Sequence, residues 1–269
     1  MSLPTPATEA GRAGLAALVG DPGSGLVAFD FDGTLAPIVP RPDDARPYPG
    51  SIDALKKLAG MFARVAIVTG RPAGWLVEVA GFGAVPGVVI AGQYGAERWF
   101  DGRLYEPEPP RGVAAVREEL PRVIAGTDAY IEDKRMSLVV HTRRSADPDA
   151  TLAVLTDPVR ALADEHGLEA HPGRYVVEVR PPGLDKGGAL RDLVREYDVR
   201  TVLFCGDDVG DIPGFAAVEE LRSQGLAGVT VCSASGEVAQ LRERADLVVD
   251  GPPGVTALLS GLAEAAQAH

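Results

Sequence analysis

The run Asp30-Phe31-Asp32-Gly33-Thr34-Leu35 closes an apolar stretch and sets two carboxylates one residue apart. Each raises the proton affinity of the other, so the pair is costly at a strand end unless a cation sits with it. Magnesium suits such a pair, because it takes hard oxygen ligands, usually a few protein carboxylates together with a substrate phosphate. One carboxylate can attack phosphorus while the other serves as acid and base. Gly33 allows a turn whose backbone N–H groups face an anion. Three further corners follow apolar runs: Thr69 in Ile67-Val68-Thr69-Gly70-Arg71, Gln93, and the acids Asp207, Asp208 and Asp211 in Gly206-Asp207-Asp208-Val209-Gly210-Asp211. Lys186, in Gly183-Leu184-Asp185-Lys186-Gly187, opens a helical pattern. The macrodipole disfavours a cation there unless an anion lies nearby. The chain has only four lysines, arginine supplying the other 22 cations.

Several short apolar runs have the length and β-branched content of buried parallel strands. They are Leu26–Phe31, Val65–Val68, Val88–Ala91, Thr201–Cys205, Gly228–Val231 and Leu247–Val249. Helical patterns lie between them at Ser51–Phe62, Pro72–Val79, Gly187–Tyr197 and Ser235–Glu243, and a short helix is expected over Arg12–Val19. This alternation predicts an α/β fold, a doubly wound and mostly parallel sheet with right-handed crossovers. Ligands of such sheets gather beyond the carboxyl ends of the strands. Asp30, Asp32, Thr69, Gln93, Asp207 and Asp208 all stand at those ends.

The spacing of the strand ends locates a second domain. Asp32 and Thr69 are 37 residues apart, room for one helix and a return strand, but 117 residues separate Thr69 from Lys186. That interval contains strand patterns at Ala129–Ile131, Ser137–His141 and Tyr175–Arg180, and helical ones at Val113–Val123 and Pro148–Glu165. Pro107, Pro109 and Pro110 precede it and Pro181 and Pro182 follow, as stiff hinges would. The expected organisation is a core over 1–106, an inserted α+β cap over 107–180, and the rest of the core over 181–269.

Hydrophobic residues make up 46% of the 269 residues and charged ones 24%, the profile of a soluble globular protein. A net charge of −12 argues against nucleic acid or an anionic membrane as a partner. No apolar run reaches a membrane span, and Met1–Gly25 lacks the pattern of a signal peptide. Cys205 and Cys232 lie far apart in apolar stretches and read as reduced, buried thiols of a cytoplasmic protein. The expected state is a monomer.

The run from Asp30 resembles the first signature of the haloacid-dehalogenase-like superfamily. Thr69, Lys186 and the Asp207–Asp211 run match the other three signatures in order. The resemblance implies that Asp30 attacks phosphorus to form an aspartyl-phosphate and that Asp32 protonates the leaving oxygen, then activates water. It implies that Thr69 and Lys186 hold the phosphoryl oxygens. Mg²⁺ would be bound by Asp30, the backbone carbonyl of Asp32, and Asp207, with Asp208 and Asp211 orienting waters or the lysine.

Asp30–Val39, reading DFDGTLAPIV, is similar to the version found in trehalose-phosphate phosphatases. So are Glu132-Asp133-Lys134 before the strand carrying Ser137, His141 and Arg143, and Val177-Glu178-Val179-Arg180-Pro181. The resemblance implies a small-molecule sugar phosphate as substrate. Its binding residues would be Gly33, Gly70, Arg71, Gln93, Tyr94, Glu132, Lys134, Arg143 and Glu178. Glu132 and Glu178 could accept hydrogen bonds from sugar hydroxyls while Lys134 donates. His166, His171 and His269 read as surface residues. Two departures stand out. Gly210 and Ile212 replace a threonine and an acid of the family's acidic motif, and Tyr94 replaces a histidine of its Gly-x-His-Gly loop. They leave room for another disaccharide or pseudo-disaccharide phosphate. Further alternatives are a broader sugar-phosphate phosphatase or phosphomutase, and a non-catalytic sugar-binding module. No glycosyltransferase stretch accompanies these motifs, so a separate synthase is expected to deliver the substrate.

Overall fold

A computed structural model describes residues 3–234 and 239–268. The first part of the helix expected from Ser235, and His269, lie outside them. The chain opens with α1 (Glu9–Gly20), β1 (Gly25–Phe29), α2 (Ser51–Ala59), β2 (Arg64–Val68) and α3 (Ala73–Glu78). It continues through β3 (Val89–Gly92), β4 (Glu97–Phe100) and β5 (Arg103–Tyr105). The inserted stretch holds α4 (Arg111–Val123), β6 (Tyr130–Asp133), β7 (Leu138–His141), α5 (Pro148–Glu165), β8 (Glu169–Gly173) and β9 (Val176–Arg180). The chain then returns through α6 (Lys186–Glu196), β10 (Thr201–Gly206), α7 (Ile212–Ser223), β11 (Ala227–Ser233), α8 (Ala239–Arg244), β12 (Leu247–Val249) and α9 (Gly251–Gln267). Two compact units result, Met1–Tyr105 with Asp185–His269, and Glu106–Leu184.

In the first unit the strands lie in the order β12-β11-β10-β1-β2-β3-β4-β5. All neighbours from β12 to β3 are parallel, while β4 and β5 are added antiparallel. Val27, Phe29, Val65, Ile67, Leu203 and Val229 pack with apolar residues of α1, α2, α3 and α9. Leu26, Ala28, Ala66, Val68, Val202 and Phe204 pack with α6 and α7. Burial on both faces is why these strands read as unbroken apolar runs rather than alternating ones. The chain leaves β1 toward β2 on one side and occupies β10 on the other. The switch point of the sheet therefore lies between β1 and β10, where a crevice forms at the carboxyl ends. Phe29 pairs with Cys205, and the Asp30 N–H donates to the Cys205 carbonyl at 2.9 Å. Asp30 and Asp207 therefore leave the sheet at the same edge.

The second unit is a four-stranded antiparallel sheet in the order β6-β7-β9-β8. Leu138, Val140, Val177 and Val179 form one core with Val113, Val116 and Leu120 of α4 and Leu155, Val159 and Leu162 of α5. The alternate residues of the same strands, Val139, His141, Val176, Glu178 and Arg180, fall on the opposite face. Neither β8 nor the β4–β5 extension was expected from the sequence. β8 contains Pro172 and lies at the sheet edge, and β5 is exposed throughout, so neither has the apolar signal of a core strand. Cys205 and Cys232 are buried and unbridged. Among the described residues no helix is long and apolar enough to cross a membrane.

Candidate active site

Asp30 follows β1, Asp207 follows β10, and Asp211 closes the turn that leads into α7. One carboxylate oxygen from each lies within 4.8 Å of the others, and all three residues are buried. Lys186 reaches the same point from α6. Asp185 caps that helix by accepting from the Gly188 N–H at 2.7 Å, so Lys186 is its first residue. The Lys186 Nζ lies 2.8 Å from Asp30 Oδ1 and 2.7 Å from Asp211 Oδ1. The cation that the helix dipole would disfavour is held by two buried carboxylates.

One ammonium does not balance this cluster. Burial first, and then the charges of Asp211 and Asp208, push the Asp207 carboxyl up to about 8 despite Lys186. Burial likewise holds Asp30 well above the usual carboxylate range; Lys186 opposes this, and Asp211, Asp207 and Asp208 reinforce it. Desolvation works against the Lys186 charge, but Asp211 and Asp30 outweigh it and keep the ammonium protonated. A buried, all-oxygen donor set that retains protons for want of positive charge fits Mg²⁺, which would displace them.

The acids are not equivalent. Asp211 Oδ1 accepts from Lys186, and its Oδ2 accepts from the backbone N–H groups of Asp207, at 3.0 Å, and Asp208, at 3.2 Å. It braces the lysine and the acidic loop together. Asp208 is exposed and accepts from the Gly210 N–H at 2.8 Å. Asp32 is not one of the three clustered acids, although its charge adds to the upward push on Asp207; each of its oxygens accepts from Arg71, at 2.6 and 2.8 Å. Gly33 has φ of +76°, and a Cβ there would come within 2.0 Å of Asp207 Oδ2. Its amide donates to the Ala36 carbonyl at 2.7 Å. What the glycine supplies is backbone freedom and room for Asp207 rather than an amide turned toward an anion.

Thr69 is buried at the end of β2, and its Oγ1 accepts from the Arg71 N–H at 3.2 Å. Gln93 and Tyr94 follow β3 in the left-handed region, with φ of 45° and 59°. The Gln93 N–H donates to the Arg71 carbonyl and the Tyr94 N–H to the Thr69 carbonyl, each at 2.9 Å. A Cβ on Gly70 would lie 2.8 Å from the Tyr94 hydroxyl oxygen, so the phenol covers the Thr69–Gly70 turn. Two residues that sequence reasoning missed support this region. Buried Glu97 accepts from the Ala73 N–H at 2.9 Å and from the Gln93 side chain. Buried Ser233 donates to the Gly33 carbonyl at 2.7 Å. Neither carries a local signal: Glu97 opens an outwardly polar run, and Ser233 simply ends an apolar strand.

In the second unit Glu132, Val139, Glu178 and His171 are successive cross-strand partners, which puts both glutamates on the polar face of the sheet. Glu178 is buried; Ser137 Oγ donates to it at 2.8 Å, and the Lys134 and Arg180 cations lie 3.7 and 3.4 Å away. Exposed Glu132 pairs with His141 Nε2 at 2.8 Å. Arg143 sits in the exposed turn after β7. His166 and His171 pair with Glu119 and Glu169, each at 3.1 Å.

Comparison with known proteins gives consistent matches. The family model described as trehalose-phosphatase matches residues 28–250. An uncharacterized glycosyl hydrolase of Mycobacterium tuberculosis is 34% identical over 254 residues, covering 88% of this chain. The chain spans only 18% of that relative's length. The trehalose-6-phosphate phosphatase of Escherichia coli is 32% identical over 199 residues, covering 72% of this chain and 73% of its own. The solved trehalose-6-phosphate phosphatase of Aspergillus fumigatus aligns with a TM-score of 0.72 at 27% identity, covering 97% of this chain and 99% of that one.

Proposed function

This chain belongs to the trehalose-phosphatase family, and we propose that it hydrolyses trehalose 6-phosphate to trehalose and phosphate, with Asp30 as nucleophile. The observation that carries the reading is the meeting of Asp30, Asp207 and Asp211 within 4.8 Å, with Lys186 bridging Asp30 and Asp211. Asp30 attacks phosphorus as the sugar oxygen departs, giving an aspartyl-phosphate. Asp32 gives its proton to that oxygen, then takes one from the water that attacks the intermediate, which breaks the bond from phosphorus to Asp30 and releases phosphate. Lys186 and Thr69 hold phosphoryl oxygens, and Asp211 keeps the lysine aimed. Asp30, Asp207 and the Asp32 backbone carbonyl would hold Mg²⁺, which supplies charge neutralisation between nucleophile and phosphate when bound. Asp208 orients the acidic loop through Gly210.

The second unit acts as the cap in this reading. Glu132, Lys134 and Glu178 recognise sugar hydroxyls, and pairs such as Lys134 with Glu178 open to exchange their mutual contacts for the ligand's. A second reading, a phosphatase for another disaccharide or pseudo-disaccharide phosphate, draws on Tyr94, which covers the Thr69–Gly70 turn. A panel of sugar phosphates assayed with Mg²⁺ separates the two, since indifference to trehalose 6-phosphate removes the first. Asp30→Asn tests the chemistry common to both. It is expected to abolish turnover, a loss of at least about 1,000-fold, while circular dichroism shows an unchanged fold.

A further inference from the structure

Arg71, in the loop after β2, is held by its backbone and its side chain alike, and that side chain is only 15% exposed. Its N–H donates to Thr69 Oγ1 at 3.2 Å, and its carbonyl accepts from the Gln93 N–H at 2.9 Å. Its guanidinium carbon lies 4.2 Å from the centroid of the Trp75 ring and 5.4 Å from that of Phe31, and those rings meet edge to face at 5.8 Å. At the tip, Nε and Nη2 grip the two oxygens of Asp32 at 2.6 and 2.8 Å. A guanidinium fork fixes the plane of a carboxylate in a way that a single ammonium does not. Asp32 needs such a hold, because its side chain is 34% exposed and two freely turning torsions separate it from the backbone.

We propose that Arg71, seated on Trp75, is the positioning residue for the acid/base carboxylate Asp32, and not a ligand for the sugar phosphate. This rests on the roles given above to Asp30 and Asp32. The fork uses one lone pair on each carboxylate oxygen and leaves another on each. In the acid form a proton occupies one of those remaining lone pairs, and Asp32 passes it to the departing sugar oxygen as the bond from that oxygen to phosphorus breaks. It can then take a proton from water as the water oxygen bonds to phosphorus and the bond from phosphorus to Asp30 breaks, freeing the Asp30 carboxylate and inorganic phosphate. Rate depends steeply on such placement, a shift of about 1 Å costing on the order of 100-fold.

The kinetics of Arg71→Ala on two esters test this. With trehalose 6-phosphate, kcat is expected to fall on the order of 100-fold while KM moves less than about threefold. The leaving group of p-nitrophenyl phosphate departs without needing a proton. Its first equivalent of p-nitrophenol should therefore appear at close to the parent rate, followed by slow turnover, a burst marking accumulated aspartyl-phosphate. Arg71→Lys keeps the charge but loses the fork and should show the same pattern. Trp75→Leu, which leaves both ionic partners in place, should show it in weaker form and decides the matter if the Arg71 variants fail to fold. A raised KM at unchanged kcat, an equal loss on both esters without a burst, or unchanged kinetics would each overturn the proposal. Turnover surviving in Asp30→Asn would instead sink the underlying chemistry, whatever the Arg71 variants do.

Discussion

At the scale of single residues, the site is a problem of surplus negative charge. Asp207 is held up to about 8, by burial first and then by Asp211 and Asp208, and Asp30 is raised in the same direction. In the unfolded chain such carboxyls titrate near about 4. Between those values the metal-free folded protein keeps protons that the unfolded chain has lost. Stability contributed by these groups is therefore greatest at low pH and declines as pH rises toward 8. Thermal unfolding in chelator should show a Tm lower by a few degrees at pH 8 than at pH 5.5. Mg²⁺ should restore more of it at pH 8, where fewer protons must be displaced. Calorimetric titration of Mg²⁺ near pH 7 in buffers of different ionisation enthalpy should report proton release, and none at all would contradict this charge balance.

Among the elements, α1 is tied to the sheet through one carboxylate. Asp246, just before β12, accepts from the Thr230 N–H at 2.8 Å and Oγ1 at 3.0 Å, and it also bonds Thr8, the N-cap of α1, and Arg222 of α7. Burial favours its neutral form, but the bonds from Thr230, Thr8 and Arg222 prevail and hold its carboxyl below the usual range. The stability this lends is present above ordinary carboxylate pKa values and is lost as pH falls below them. Asp246→Ala should cost about 3 kcal/mol at pH 7, because it removes the ionic partner of Arg222, which keeps the Gly228 carbonyl, and leaves the Thr230 amide without its acceptor. The gap between parent and variant in urea unfolding should narrow from pH 5 to pH 3. A gap independent of pH would assign the effect to packing instead.

For the whole molecule, the consequence of two units is that each has its own core residues. Leu155, Val159 and Val140 belong to a cluster confined to Glu106–Leu184, while the clusters on either face of the eight-stranded sheet lie wholly in the other unit. Both tryptophans of the chain, Trp75 and Trp99, are in that other unit. Leu155→Ala should destabilise its own unit by about 2 to 5 kcal/mol. Circular dichroism should then show a new transition at lower denaturant, while tryptophan fluorescence keeps the parent midpoint. Coincident shifts in both signals would mean that the units unfold as one.

Much of this was legible in the chain, and for a physical reason. Strands buried on both faces must be apolar throughout, so β1, β2, β3, β10, β11 and β12 announced themselves, and the acids at their ends marked one edge of a sheet. The long interval before Lys186 likewise required a second body. The tertiary structure alone decided what each acid does there. Asp30, Asp207 and Asp211 look alike as letters, yet Asp211 spends its oxygens on Lys186 and two amides, and Asp32 gives both of its own to Arg71. The same holds for Glu97 and Ser233, whose partners lie on other elements. A sequence fixes residue types and their order along the strands; hydrogen-bond partners are set by which distant segments the fold brings within about 3 Å.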